Sequence, residues 1–267
     1  MENQIEVLVG NCVDILPDYA NQADLILTSP PYGTMREYEG QLDEFVFEDV
    51  AAACYEALAP SGVMVWVVGD QSVKHSLTLN PMRQAIFFTD ELKLNMIDVM
   101  IYQKTWNAKV GRKYLRAWEY MFIMSKDIDY TFNPLEDRKN KYGGHKNWGQ
   151  SGQRDKDGTL RLKEEIKTVR EYGRRSNIWK YYVGSVGTNM GEPGFNKLKH
   201  PAMMPYLLAQ DHIKSWTNEG DLVIDPMCGS GTTLSAANAL NRRAVGIDVV
   251  KEYAILAKKR VTQRSLN

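Results

Sequence analysis

Seven short runs along the chain are apolar with little alternation: Ile5–Val9, Asp24–Thr28, Gly62–Val68, Ile97–Gln103, Glu119–Met124, Leu222–Asp225 and Ala244–Asp248. A strand covered on both faces reads this way, whereas a half-exposed strand alternates. Helical spacing lies between several of these runs. "FVFEDVAAACYEALAP" predicts a helix that should end at Pro60. "HPAMMPYLLAQDHIKSW" predicts a second helix. "VVKEYAILAKKRV" predicts a third, with Val250, Tyr253, Ala254, Ala257 and Val261 on one stripe. Strands alternating with helices imply an α/β fold: a mostly parallel sheet with helices on both faces.

Residues 127 to 199 break this pattern. They are rich in Gly, Lys, Arg, Asn and Tyr, as in "NKYGGHKNWGQSGQRDKDG", and only the charged "LRLKEEIKTVREYG" has a helical look. A stretch this long inside a domain is expected to be functional or disordered, and it is read here as an insertion that reaches over a ligand. Charge sharpens the reading. The net charge is zero, but residues 138 to 180 hold thirteen Lys/Arg against five Asp/Glu, a local +8 on an otherwise acidic chain. That split suggests one face for a polyanion.

The 267 residues suit one large domain or a domain with a sizeable insertion, and the 43% hydrophobic content is ordinary for a soluble globular protein. The longest apolar run, Val63–Val68, is far too short to span a bilayer, and "MENQIEVLVG" lacks a secretory n-region. Cys12, Cys54 and Cys228 are odd in number and far apart, which predicts a reducing compartment, three buried thiols and no metal site.

Two stretches carry chemistry. "LVIDPMCGSGTTLSAANALNRRAVGID" reads as strand, glycine turn, helix, strand and a final acid. Gly229 and Gly231 permit a tight turn and close approach to a ligand. The helix opening near Thr232 offers N–H groups to an anionic group, and Asp248 could accept both hydroxyls of a ribose. Leu234 stands where a dinucleotide fingerprint needs its third glycine, and no Gly-Lys-Ser/Thr occurs. A nucleoside without a pyrophosphate fits, as S-adenosyl-L-methionine does. A turn that merely packs a helix on a strand is the alternative. In the second stretch, "DLILTSPPYGT", a strand ends on two prolines, which fix φ and cannot donate to a ladder.

Together, "DPMCGSGTT" and "TSPPY" resemble the cofactor and catalytic motifs of AdoMet-dependent DNA amino-methyltransferases, the N4-cytosine and N6-adenine methylases. The catalytic motif precedes the cofactor motif, the order of the family's β group. "VLVGNCVDIL", "RAWEYMFIMSK" and "KHPAMMPYLL" also resemble segments of that group. The resemblance implies a Rossmann-like methyltransferase fold with a seven-stranded, circularly permuted sheet. It implies a catalytic half over 1–126, a target-recognition insertion over 127–199 and an AdoMet-binding half over 200–267. Two departures stand out: Gly10-Asn11 where Gly-Asp is common, and Trp118-Glu119 where His-Glu is frequent.

The resemblance assigns catalysis to Ser29, Pro30, Pro31 and Tyr32. The Ser29 hydroxyl and the Pro30 carbonyl would accept the two amino hydrogens of a base, aimed in advance by the stiff Pro-Pro unit, while Tyr32 stacks on the ring. Cofactor binding falls to Asn11, Thr28, His200, Pro201, Asp225, Met227, Cys228, Gly229, Ser230, Gly231, Thr232, Thr233 and Asp248. The base must first be rotated out of the duplex. Arg36, Lys139, Lys141, Lys146, Arg154, Arg174 and Arg175 are assigned to DNA, mainly its phosphates. Trp148, Tyr142 and Tyr172 are candidates to stack or wedge, and Trp106, Trp118 and Trp216 are expected in the core. Ser-Pro-Pro-Tyr goes mainly with cytosine N4, Asp-Pro-Pro-Tyr with adenine N6, so N4-methylcytosine is the favoured product. C5 methylation is disfavoured, because no Pro-Cys motif supplies its nucleophile. The alternatives are adenine N6, an RNA substrate, or a catalytically silent AdoMet- or DNA-binding module. The partners implied are double-stranded DNA, a second copy of the chain and a cognate restriction endonuclease, with no membrane and no metal, in a bacterial, archaeal or phage-encoded cytoplasmic protein.

Overall fold

All seven apolar runs become strands of one sheet, in a computed structural model that describes residues 5–31, 45–108, 114–146, 152–162, 168–182 and 203–264. In chain order the strands are β1 (Ile5–Val9), β2 (Ala23–Thr28), β3 (Leu58–Val68), β4 (Asn95–Ala108), β5 (Arg116–Ser125), β6 (Ile178–Tyr181), β7 (Leu222–Asp225) and β8 (Arg243–Asp248). They lie in the order β1-β8-β7-β2-β3-β5-β4-β6. Every pair is parallel except those of β5, which runs against β3 and β4.

The eighth strand was not legible. β6 sits inside the basic stretch, with Trp179 and Tyr181 buried and Ile178 and Lys180 exposed. It lies at one end of the sheet, paired with β4 alone, so it alternates where the inner strands are apolar throughout. The charged piece "LRLKEEIKTVREYG" is a correction in the other direction. Leu160–Leu162 pairs antiparallel with Gly152–Arg154, and Tyr172–Gly173 with Arg138–Lys139. Local ladder pairing replaces the expected helix at both described ends of that piece.

The helices are α1 (Cys12–Ile15), α2 (Phe47–Ala57), α3 (Asn80–Asp90), α4 (Tyr206–Trp216), α5 (Thr232–Ala239) and α6 (Lys251–Arg264). Asn80-Pro81 opens α3, with proline in the first turn where its missing N–H is harmless. α2 stops at Ala57, three residues before Pro60. Pro60 instead lies in the first part of β3, beside a register shift between Ala23 and Leu25. Gly62 permits that shift: a Cβ there would stand 2.4 Å from the Ala23 carbonyl oxygen.

Strand alternation sends side chains to two faces. Ile26, Met64, Trp66, Ile224 and Ile247 form one cluster with residues of α1, α2 and α3. Its aromatic centre sets Phe47, Trp66 and Phe88 edge to face at 5.3–5.9 Å, a geometry that adds to simple burial. Leu25, Leu27, Val65 and Val223 are equally buried on the other face, where α4, α5 and α6 pack. Cys12, Cys54 and Cys228 are all buried free thiols. Trp216 is core at 5% exposed, but Trp118 is 47% exposed and only leans edge-on against Tyr120. The Trp106 side chain lies outside the described residues.

The chain divides into two compact units. The first, 1–133 with 177–267, carries the sheet. The second, Pro134–Ser176, has no buried apolar side chain among its described residues. It is held by the two short ladders, by the ion pairs Arg170–Glu136 and Arg175–Asp137, and by the Arg138 guanidinium donating to the Arg174 carbonyl. No helix among the described residues is long and apolar enough to cross a membrane.

Candidate active site

β7 and β2 are neighbours, with Val223 opposite Leu25 and Ile224 opposite Ile26. The residues that follow each strand therefore emerge side by side: Asp225 and the glycine turn from β7, Thr28-Ser29-Pro30 from β2. From β7 the chain returns through α5 to β8 on one side, and from β2 through α2 to β3 on the other. In an open α/β sheet such a divergence opens a crevice at the carboxyl ends of the strands. Pro30 and Gly229 share that edge.

The glycine turn is anchored to β8. Cys228 N–H donates to the Ile247 carbonyl at 2.9 Å, and Gly229 N–H to Asp248 Oδ2 at 2.8 Å. Gly231 N–H closes the turn on the Cys228 carbonyl. Gly229 and Gly231 have φ of +50° and +76°, in the left-handed region that glycine enters freely. At Gly231 space is a second constraint: a Cβ would lie 2.8 Å from the Ala257 Cβ on α6. The sequence assigned Gly231 to the turn, and the structure adds the helix it must pass.

The two acids differ in their duties. Asp225 turns inward: Oδ2 accepts from the Thr233 hydroxyl at 2.6 Å, and Oδ1 from Met227 N–H at 3.2 Å. Burial raises its pKa to about 6 against the pull of those donors. The Thr28 hydroxyl is wholly buried and meets no acceptor at bonding geometry, yet lies near enough to Asp225 to draw its pKa down slightly. Asp248 is also pushed up by burial. Its Oδ2 takes Gly229 N–H and its Oδ1 takes Val250 N–H at 2.8 Å. Each carboxylate oxygen still has a lone pair for one more donor.

At the end of β2, Ser29 is half-buried and Pro30 buried. Across the edge, Gly10 N–H donates to the Asp248 carbonyl and so ties the end of β1 to that of β8. Asn11 caps α1, its Oδ1 accepting from Val13 N–H at 3.1 Å, which occupies one acceptor site of that oxygen. Tyr32, Arg36, Trp148, His200 and Pro201 lie outside the described residues.

The N6_N4_Mtase profile of DNA methylases matches residues 23–259, most of the chain and both motif stretches. The chain belongs to this family. An orphan methyltransferase of Bacillus amyloliquefaciens, M.BamHII, is 41% identical over 239 residues, covering 89% of this chain and 88% of that protein. M.HpaI, a type II methyltransferase of Haemophilus parainfluenzae, is 26% identical over 90% of this chain and 68% of its own length. Among solved structures, a cytosine-N4-specific PvuII DNA methyltransferase shares the fold, with a TM-score of 0.65 at 17% identity over 97% of this chain and 88% of that one. The protein is a DNA methyltransferase of the amino-methylating class.

Other residues of the methylase fall in the second unit. Lys139, Lys141, Lys146, Arg154 and Arg174 are exposed there. Arg175 is half-buried, and its guanidinium holds the Asp137 carboxyl below its usual range. Tyr142 and Tyr172 expose 60% and 48% of their surface. Glu119 is buried and paired with Lys104, beside the half-exposed Trp118.

Sequence reasoning missed Arg260. This arginine is fully buried on α6 and reaches the glycine turn. The signal was a charged residue sharing the helical stripe of Ala257 and Val261.

Proposed function

We propose that this protein transfers a methyl group to the exocyclic N4 of cytosine within a specific DNA sequence, and that the crevice between β2 and β7 is its active site. The observation that carries this reading is the adjacency of Ser29-Pro30 and the Gly229 turn on neighbouring strands whose sequence positions lie almost 200 residues apart. Ser29 in front of Pro-Pro, where an acid marks the adenine-directed form, supports cytosine over adenine.

S-adenosyl-L-methionine is the cofactor, and when bound it supplies an electrophilic methyl group. The residues fit it. Asp248 keeps acceptor capacity for ribose hydroxyls, the first turn of α5 offers N–H groups to an amino-acid carboxylate, and the buried Thr28 hydroxyl is left to be satisfied. The Ser29 hydroxyl and the Pro30 carbonyl accept the two hydrogens of the target amine, which localises a lone pair otherwise delocalised into the ring. Because the Pro30-Pro31 backbone is set beforehand, these acceptors need no reorganisation at the moment of reaction. Tyr32 stacks on the base. Reaching the pocket requires the base to leave the duplex, at roughly a few kcal/mol of lost stacking and pairing. The exposed Lys and Arg of the second unit neutralise phosphates and hold the duplex. A second copy of the chain and a cognate endonuclease are the partners of this reading, in a bacterial, archaeal or phage-encoded protein of the cytoplasm.

Mass spectrometry of nucleosides from duplex DNA treated with the protein and methyl-labelled AdoMet tests this directly. Label in N4-methylcytosine is the expected result. Label in N6-methyladenine would overturn the choice of base, and label in RNA alone the choice of substrate. Tight AdoMet binding with no transfer to any nucleic acid would overturn the catalytic reading.

A further inference from the structure

The carboxyl edge of the sheet continues past the crevice. β3 lies between β2 and β5. Thr28 stands opposite Trp66, so Ser29-Pro30 and Gly69-Asp70-Gln71 leave parallel strands at the same edge. β5 runs the other way, with Tyr120 opposite Val68, and its first residue, Arg116, starts there. The Arg116 Nη1 donates to the Asp70 carbonyl at 2.8 Å, which sets the guanidinium on the Asp70-Gln71 peptide.

Two donors at this spot meet no acceptor among the described residues. Gln71 is 6% exposed, and its Nε2 is buried without a hydrogen-bond partner. The Nη2 of Arg116 is buried and unpartnered too. Each nitrogen carries two N–H groups. A buried donor left unmade loses its hydration and gains nothing in return, so two in one place point to an occupant. The loop around them is already fixed. Asp70 Oδ1 accepts from Gln71 N–H at 2.7 Å, from the Thr78 hydroxyl at 2.7 Å and from Leu79 N–H at 3.1 Å. The Gln71 carbonyl accepts from Thr78 N–H at 3.1 Å. The backbone of Gln71 is thus held from both sides before a ligand arrives.

Chemistry narrows the occupant. Both free groups only donate, and the guanidinium is always charged. A base edge mixes donors and acceptors, whereas a phosphodiester presents two anionic oxygens that accept several N–H groups at once. We infer that Gln71 and Arg116 form a phosphate site at the end of β3 that grips the backbone of the target nucleotide as its base enters the crevice. The inference rests on the reading of Ser29-Pro30 as the site of the target amine.

The test uses duplexes built around the nucleotide that labelled AdoMet shows to be methylated. In two of them a methylphosphonate replaces the phosphate 5′ or 3′ of that nucleotide, and in a third its base is removed. Affinity is read by fluorescence anisotropy. For the wild type, one of the two methylphosphonates should weaken binding about tenfold. Gln71→Met and Arg116→Met should each bind the unmodified duplex about fivefold more weakly or worse, and lose sensitivity to that same methylphosphonate, because a contact can be removed only once. AdoMet affinity by calorimetry should stay within about twofold, since neither residue faces the cofactor in this reading. Gln71→Met exchanges an unmade donor for an apolar group of similar shape, so its melting temperature should equal or exceed that of the wild type, where a merely structural role predicts a fall. It also serves if Arg116→Met does not fold. Arg116→Lys, which keeps the charge but not the fork, should fall between wild type and Arg116→Met. The loss should persist in the abasic duplex. A loss that vanishes there would assign the pair to the base and overturn the phosphate site. Variants that match the wild type on every duplex, or losses that add to those of both methylphosphonates, overturn it as well. If the wild type methylates no DNA, the target-site reading falls and this one with it; if it methylates DNA while both variants bind as it does, only the role of Gln71 and Arg116 falls.

Discussion

Ser29, Asp225 and Asp248 follow or end the neighbouring strands β2, β7 and β8, and the proposed reading gives each a different task. On the proposed reading, Ser29→Ala removes one of two acceptors aimed at the target amine. By analogy with deletion of one preorganised hydrogen-bonding group, kcat should fall on the order of 10²-fold, with AdoMet affinity intact by calorimetry. Asp248→Asn should weaken AdoMet binding by about tenfold, roughly 1.4 kcal/mol, in the same instrument. Asp225 is internal, and its signature is a pH effect on stability. Its folded pKa is raised to about 6 from 3.8 by burial. The folded state therefore holds the proton more tightly than the unfolded chain. Its contribution to stability is fully present below pH 3.8 and is lost as pH rises through about 6, a change on the order of 2–3 kcal/mol. Asp225→Asn should abolish this component. Urea unfolding of the two proteins from pH 4 to 7 reads it as a stability difference that moves in favour of the variant as pH rises.

At the level of elements, the sheet was written plainly in the sequence because its strands are covered on both faces. Ile5–Val9 and Leu222–Asp225 match their expected bounds, since Gln4 and Gly10 flank the first and Asp221 and Pro226 the second. The edge strand Ile178–Tyr181 escaped notice, because four residues with a lysine among them carry too little pattern. The charged piece at 160–173 misled for a related reason: Lys, Glu and Arg at helical spacing describe a solvated face, and the ladder partners that decide the conformation lie elsewhere in the chain. In the site, the turn and the proline pair were legible as motifs. The brace from α6 was not, because it depends on a contact between the turn and a helix about 30 residues onward. Gly231→Ala tests that packing. With φ at +76° and Ala257 in the way, it should cost about 1–3 kcal/mol in strain and lower the melting temperature by several degrees.

Across the whole molecule, charge and burial are segregated. The sheet-bearing unit holds the core, while the unit from Pro134 to Ser176 carries exposed cations with no apolar interior among its described residues. Such a unit suits electrostatic grip. Converting Lys139, Lys141 and Lys146 to Ala should reduce the dependence of DNA affinity on salt by about 0.9 in log–log slope for each phosphate that is no longer neutralised, measured by fluorescence anisotropy over a salt series. Arg175→Ala should behave differently, because it strands Asp137 and loosens the unit itself.

The strand order has a practical corollary. β2 and β7 touch, yet one belongs to the first thirty residues and the other to the last fifty, so on the proposed reading the acceptor and donor halves of the crevice are made by separate lengths of polypeptide. If that reading holds, severing the backbone within the cationic unit leaves each product with half a reaction centre and no chemistry of its own. Fused to two proteins that associate, the halves would regain methylation only where those proteins meet, leaving a permanent chemical record of the encounter on nearby DNA.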